Sequence, residues 1–146
     1  MKTPLLLFAA LLLAQASHAQ AIADAQVPPL AFAALQAQYP QARSVKWKRA
    51  QGWYQASYTQ SQIRRLVRFN PNGNVEATGT AVALGTLPLP VRRTLTNHYP
   101  SRKFCQADQI TDTQTGSLTY ELATCESFIS STITLTADGL KVPRAR

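Results

Sequence analysis

The chain has 146 residues, with 15 Lys and Arg against 7 Asp and Glu, a formal charge of +8, and two cysteines. That length holds one domain with one core, or two small halves sharing a core, and two thiols do not make a zinc site. The positive charge alone does not choose among nucleic acid, acidic glycans, lipid head groups and acidic protein surfaces.

The first nineteen residues, "MKTPLLLFAALLLAQASHA", read as a signal peptide. Lys2 gives a positive start, Leu5 to Leu13 are apolar, and Ser17-His18-Ala19 places small residues where a signal peptidase reads them. Cleavage before Gln20 follows, with Ala14-Gln15-Ala16 and Ala23-Asp24-Ala25 as weaker sites. The apolar run is too short to span a bilayer, and no second such run follows. The expectation is therefore an exported protein, periplasmic or secreted, with Gln20 to Gln26 as a flexible lead-in. Without Lys2 the remaining chain keeps 14 basic and 7 acidic side chains, a net +7. Export sets nucleic acid aside as the partner and leaves exported proteins or anionic envelope components, including peripheral contact with lipid.

Pro28 and Pro29 suit the first turn of a helix, where a missing N–H costs little. Ala31, Leu35 and Tyr39 recur on one stripe, and Pro40 pushes its predecessor out of helical geometry. Strands follow. "SVKWKR" puts Val45 and Trp47 on one face and Lys46 and Lys48 on the other. "WYQASYT" puts Tyr54, Ala56 and Tyr58 together, and "IRRLVRF" does the same with Val67 and Phe69. "NPNGN" is a turn in which Asn-Gly accepts positive φ, and "VEATGTAV" reads as a fourth strand.

The pattern then recurs. Pro88 and Pro90 open a second helix, Val91, Leu95 and Tyr99 form its stripe, and Pro100 ends it; Val27-Pro28 aligns with Leu87-Pro88 and Tyr39-Pro40 with Tyr99-Pro100 at an offset of sixty. "KFCQADQI", "SLTYELATC", "FISSTITL" and "LKV" are the matching strands. Tyr120, Leu122 and Thr124 answer Tyr54, Ala56 and Tyr58 at an offset of sixty-six, which marks an insertion near Asp112 to Gly116. Repeated matches at one offset indicate duplication. The expected fold is α+β, a tandem repeat over residues 27–84 and 85–146. Each unit is a helix followed by a four-stranded antiparallel meander, with the helices on one sheet face. A first hairpin of the second unit centred near Thr115 sets Cys105 opposite Cys125, and an oxidising compartment favours a disulfide between them.

The residues for catalysis are few. His98 is the only histidine after the leader and sits near a helix end, and no G-x-S-x-G motif is present. Glu76 and Glu121 could approach on a sheet as a carboxylate pair, but nothing recommends them. "DTQTG" lacks the carboxylates of a calcium loop, and no glycine-rich phosphate loop occurs. The expectation is no enzyme, no metal and no cofactor.

Alternation instead puts Lys46, Lys48, Trp53, Gln55, Ser57, Arg64, Leu66, Arg68 and Thr78 on the sheet face away from the helix. Tryptophan beside arginine and lysine is the composition of interface hot spots. A solvated basic face, with Trp53 lying on its neighbours' stems, is the plainer alternative.

The order "YP", "V-x-W", "WYQASY", a strand ending "RF", "NPNG", and "LP" into a second helix ending "YP" resembles the exported PepSY-like proteins, also known as beta-lactamase-inhibitor-like. The resemblance covers nearly the whole chain after the leader. Ala107 stands where the pattern of the first half has Trp47, and the cysteine pair lies outside the pattern. It implies a tandem helix-plus-four-strand fold with an open, concave sheet face. It also implies a non-enzymatic role in binding or inhibiting an exported protein. The alternation above gives that role to Lys46, Lys48, Trp53, Gln55, Arg64, Leu66 and Arg68, and the expectation is a monomer. Binding of acidic glycan or lipid head groups is the alternative.

Overall fold

The structure, a computed structural model, describes residues 19–50, 52–125 and 131–143. The leader up to His18 and the expected strand start at Phe128 lie outside the described residues. Ten elements follow in order: β1 (Gln20–Ile22), α1 (Pro29–Gln38), β2 (Lys46–Ala50), β3 (Trp53–Gln60), β4 (Ile63–Phe69) and β5 (Val75–Val82). After these come α2 (Leu89–His98), β6 (Phe104–Asp112), β7 (Leu118–Thr124) and β8 (Thr132–Thr136). All eight strands form one antiparallel sheet in sequence order.

The two helices are built alike. Pro28 and Pro88 are the N-caps, and Tyr39 and Tyr99 are the C-caps, their amides donating to Leu35 and Leu95. Each helix covers its own apolar cluster. Val27, Ala31 and Leu35 of the first unit pack on Trp47, Ala56, Val67 and Phe69. Leu87 and Val91 of the second pack on Ala107, Tyr120, Leu122 and Leu135. Full burial of such a side chain contributes about 1.5–3 kcal/mol. Tyr39 meets Phe69 edge-on at 6.4 Å, and Tyr99 meets Phe104 likewise at 6.2 Å, so both helix-ending tyrosines belong to the core. Burial pushes the Tyr39 and Tyr58 hydroxyls above their ordinary value of 10.0.

The turns after β4 and β8 show the duplication at atomic level. Gly73 has φ +82°, and a Cβ there would lie 2.6 Å from the Leu30 carbonyl oxygen of α1. Gly139 has φ +79°, with the Pro90 carbonyl oxygen of α2 at 2.6 Å from the same imagined atom. Both positions need glycine twice over, for the left-handed backbone and for the close approach of the helix.

Three expectations are corrected. Gln20–Ile22 is not a loose lead-in but a strand, pairing Ile22 with Trp47, and Asp24–Gln26 is a single 3-10 turn. The same arrangement recurs sixty residues on, where Val82 pairs with Ala107 and Leu84–Thr86 makes the turn. Strand β5 therefore closes the first meander and also opens the second unit, so the boundary near residue 84 does not separate two sheets. A strand as short as β1 shows no alternation of its own, and its order comes from pairing with the edge of β2.

The last strand expected, "LKV", is reduced to one bridge between Leu135 and Lys141. Pro143 follows at once and has no N–H to extend a ladder. Finally, Thr78 lies on the helix side, opposite Val67. An irregularity at Arg68 and Phe69 pairs Phe69 with Val75, and the extra residue in β5 reverses its side-chain parity.

Candidate functional site: a cleft on the open sheet face

The face away from the helices carries alternate residues of every strand. From β2 come Lys46 and Lys48, from β3 Trp53, Gln55 and Ser57, and from β4 Arg64, Leu66 and Arg68. The central strand contributes only Ala77, Gly79 and Ala81 to this face. Asp108 and Ile110 follow on β6, Glu121 and Ala123 on β7, and Thr134 on β8.

Small residues at the centre let long side chains cross it. Arg64 on β4 reaches over to the Asp108 carboxylate on β6. Arg68 donates from Nη2 to Glu121 Oε2 on β7 at 2.7 Å and from Nε to Gln55 Oε1 at 3.0 Å. Three strand spacings plus four residues along the strand would put the Arg68 and Glu121 backbones about 19 Å apart on a flat sheet. Extended arginine and glutamate side chains do not span that gap, so the sheet is curled and twisted toward this face. The result is a cleft of about 620 Å³ lined by both units.

Asp108 and Glu121 are direct cross-strand neighbours. Two carboxylates so placed repel each other, and the paired arginines offset that repulsion. Gln106 Nε2 adds a hydrogen bond to Asp108 Oδ2 at 3.1 Å. Both carboxylates thus serve as acceptors that tie the second unit to the first. Trp53 lies under the Arg68 guanidinium, 4.4 Å from it, a cation–π contact.

Lys46, Lys48, Trp53, Gln55, Ser57, Arg64 and Arg68 are brought together as the lining of one cleft. Leu66 is not available to a partner. It is 2% exposed and packs with Ala77 and Ile110 across the central strand, over Gly79. Alternation could assign Leu66 its face but not the apolar seam that closes on it. Gln55 is also buried and hydrogen-bonded to Arg68 and Ser57, so it supports the cleft floor. Lys46 and Lys48 are exposed, and the two ion pairs found among the described residues involve neither.

The second-unit members, Asp108, Glu121 and Gln106, were not assigned to the site from sequence. Their signal was the duplication itself, because residues alternating with Ala107 and Leu122 must face the same way as Lys46 and Lys48. Cys105 and Cys125 are joined in a disulfide at the cleft margin, with Cα atoms 5.1 Å apart. His98 is exposed at the end of α2, away from the cleft lining. Among the described residues no group of three or more His, Cys, Asp or Glu is placed to hold a metal.

No protein-family model matches the chain, and no curated protein matches it in sequence. Solved structures do match its shape. A candidate periplasmic protein of Bacteroides eggerthii superposes with a TM-score of 0.61 at 16% identity, over 80% of this chain and 86% of that one. A DUF2874 family protein of Bacteroides uniformis gives 0.60 at 17% identity, over 80% and 86%. A BLIP-like protein of Bacteroides fragilis gives 0.53 at 19% identity, over 78% and 82%. At these identities the likeness is one of fold, and the chain has the α+β architecture of those BLIP-like and DUF2874 proteins, two helices over one curled eight-stranded sheet.

Proposed function

We propose that this protein is an exported, non-enzymatic binding protein that receives a protruding segment of a partner protein in the concave cleft. The observation that carries the reading is the division of charge in that cleft. Arg64 and Arg68 are held by Asp108 and Glu121, whereas Lys46 and Lys48 stand on one wall and pair with no carboxylate among the described residues. An internally braced floor beside uncompensated lysines and a half-buried tryptophan is suited to receiving a ligand. Export is supported by the leader sequence, by the disulfide, and by the candidate periplasmic protein that shares the fold. Inhibition of an exported enzyme, as the BLIP-like name of one structural match suggests, is one form such binding could take.

The two uncompensated lysines also favour a second reading, in which the ligand is an acidic glycan or lipid head group. Crosslinking in the native envelope, using wild type, Trp53→Ala and a Lys46→Glu/Lys48→Glu double variant, tests both. The first reading expects a discrete protein adduct that weakens in both variants. Equal recovery of every adduct from all three proteins would sink the assignment of the face. For the second, binding to heparin or anionic vesicles must fall steeply with salt.

A further inference from the structure

The opposite sheet face has its own unassigned feature. Each helix covers its own cluster, and the strands between the helices are left bare. Arg65, Thr80 and Gln109 form one cross-strand row there, and Thr78 pairs with Thr111 in the next. Tyr39 and Tyr58 form the border, and together these residues line a groove of about 300 Å³. That is at the small end of small-molecule sites.

Tyr58 and Gln41 on the groove's border are hydrogen-bonded to each other, but the groups at its centre have no such partner among the described residues. Arg65 Nε is buried with no hydrogen-bond partner. Neither ion pair found among the described residues includes Arg65, and no carboxylate lines the groove. Its neighbours Arg64 and Arg68 point to the other face and are each matched to an acid. Among the described residues, the hydroxyls of Thr78, Thr80 and Thr111 make no hydrogen bond either. A guanidinium left partly unsatisfied is costly, and hydroxyl donors at its side suit a planar oxyanion.

A similar grouping occurs in the second unit. Beside Tyr99, the counterpart of Tyr39, a second groove of about 690 Å³ opens. Its described lining includes Arg102 and Lys141 and no carboxylate. Arg102 lies 5.8 Å from the Tyr99 ring and donates to Ser131 Oγ at 2.7 Å. Among the described residues, each unit thus has an arginine outside any ion pair near the tyrosine that ends its helix, although the two arginines are not equivalent positions of the repeat.

We infer that the groove between the helices is a carboxylate-binding site, in which Arg65 supplies the cation and Thr78 and Thr80 supply neutral donors. The carboxylate belongs to a small free acid or to the C-terminus of a peptide. The arginine fork gives the two parallel hydrogen bonds a carboxylate accepts, and Tyr39 and Tyr58 flank whatever carbon chain it carries. The site is on the far side of the sheet from the cleft, and the two readings stand independently.

NMR of the Arg65 Nε–Hε signal in the exported chain, titrated with sodium acetate against sodium chloride at matched ionic strength, tests this. A short peptide with a free C-terminus and the same peptide amidated complete the set. The expected result is a saturable shift with acetate, none with chloride and none with the amidated peptide. A shift with the free-acid peptide assigns the site to peptide C-termini, and its absence beside an acetate response assigns it to small acids. Arg65→Lys, followed through the backbone amide signals of Thr78 and Thr80, is expected to weaken binding about tenfold by losing the bidentate geometry. Thr80→Val, which leaves Arg65 in place, weakens it by a smaller factor and keeps the test open if the arginine variant misfolds. An Arg65 signal that follows ionic strength alone, or acetate shifts confined to the residues around Lys46 and Lys48, would overturn the proposal.

Discussion

The Arg68 guanidinium donates to the Glu121 carboxylate at 2.7 Å and so joins the fourth strand to the seventh across the open face. Arg68 is 12% exposed and Glu121 23%, a burial between that of surface and interior ion pairs. A double-mutant cycle with Arg68→Met and Glu121→Gln is expected to give a coupling of about 1–2 kcal/mol in urea unfolding. Arg64→Met should cost more alone, about 2–3 kcal/mol, because it leaves the 9%-exposed Asp108 side chain without its cation. Additive single variants would mean that the two units hold their curvature without these pairs.

Gly73→Ala and Gly139→Ala are expected to destabilise strongly, by roughly 2–4 kcal/mol each, through strain at positive φ plus collision with a helix carbonyl. Gly116 is the internal control. Its φ is +69°, but a Cβ there meets nothing within 4 Å, so Gly116→Ala should cost only about 1 kcal/mol. Thermal melts of the three variants separate backbone strain from helix contact.

Reduction of Cys105–Cys125, twenty residues apart in the chain, should lower stability by about 3 kcal/mol. Intact mass should rise by two hydrogens on reduction, and the urea midpoint should move with it. A midpoint indifferent to reductant would show that the β6–β7 hairpin is already closed by its ladder.

Asp112 organises the turn that the second unit inserts. Its Oδ1 accepts hydrogen bonds from the Gln114 and Thr115 amides and the Thr115 hydroxyl. Those from Thr115, backbone first and then side chain, hold the carboxyl below its ordinary value of 3.8. A folded-state pKa below the unfolded one stabilises the protein above the unfolded value. That contribution fades as pH falls through the folded one. The stability advantage of wild type over Asp112→Asn is therefore expected near pH 6 and should shrink on acidification below the ordinary carboxylate range. Denaturant melts of both proteins across that range check it, and a constant difference would remove the role of the charge.

Much of this molecule was legible along the chain. The Tyr-Pro pairs, the Asn-Gly and Asp-Gly turns and the offset of sixty act through local geometry. Proline and glycine restrict φ wherever they stand, and an apolar stripe must be buried by something. That is why both helices, most strands, the duplicated plan and the face shared by Lys46 and Lys48 follow from residue order alone. The disulfide followed as well, because hairpin length brings Cys105 and Cys125 to the same end of β6 and β7, although a bulge at Cys105 keeps them from being directly opposed.

Tertiary structure decided the rest, because it depends on what one strand does to another. Alternation from Val75 puts Thr78 on the wrong face, since the bulge opposite Arg68 is a property of the pair β4 and β5. Leu66 reads as a contact residue until Ile110 closes over Gly79 from another unit. The cleft itself exists only because alanine and glycine on β5 let two arginines reach two acids in the other half. Sequence assigned each side chain to a face, and the curvature of the sheet determined which of them meet.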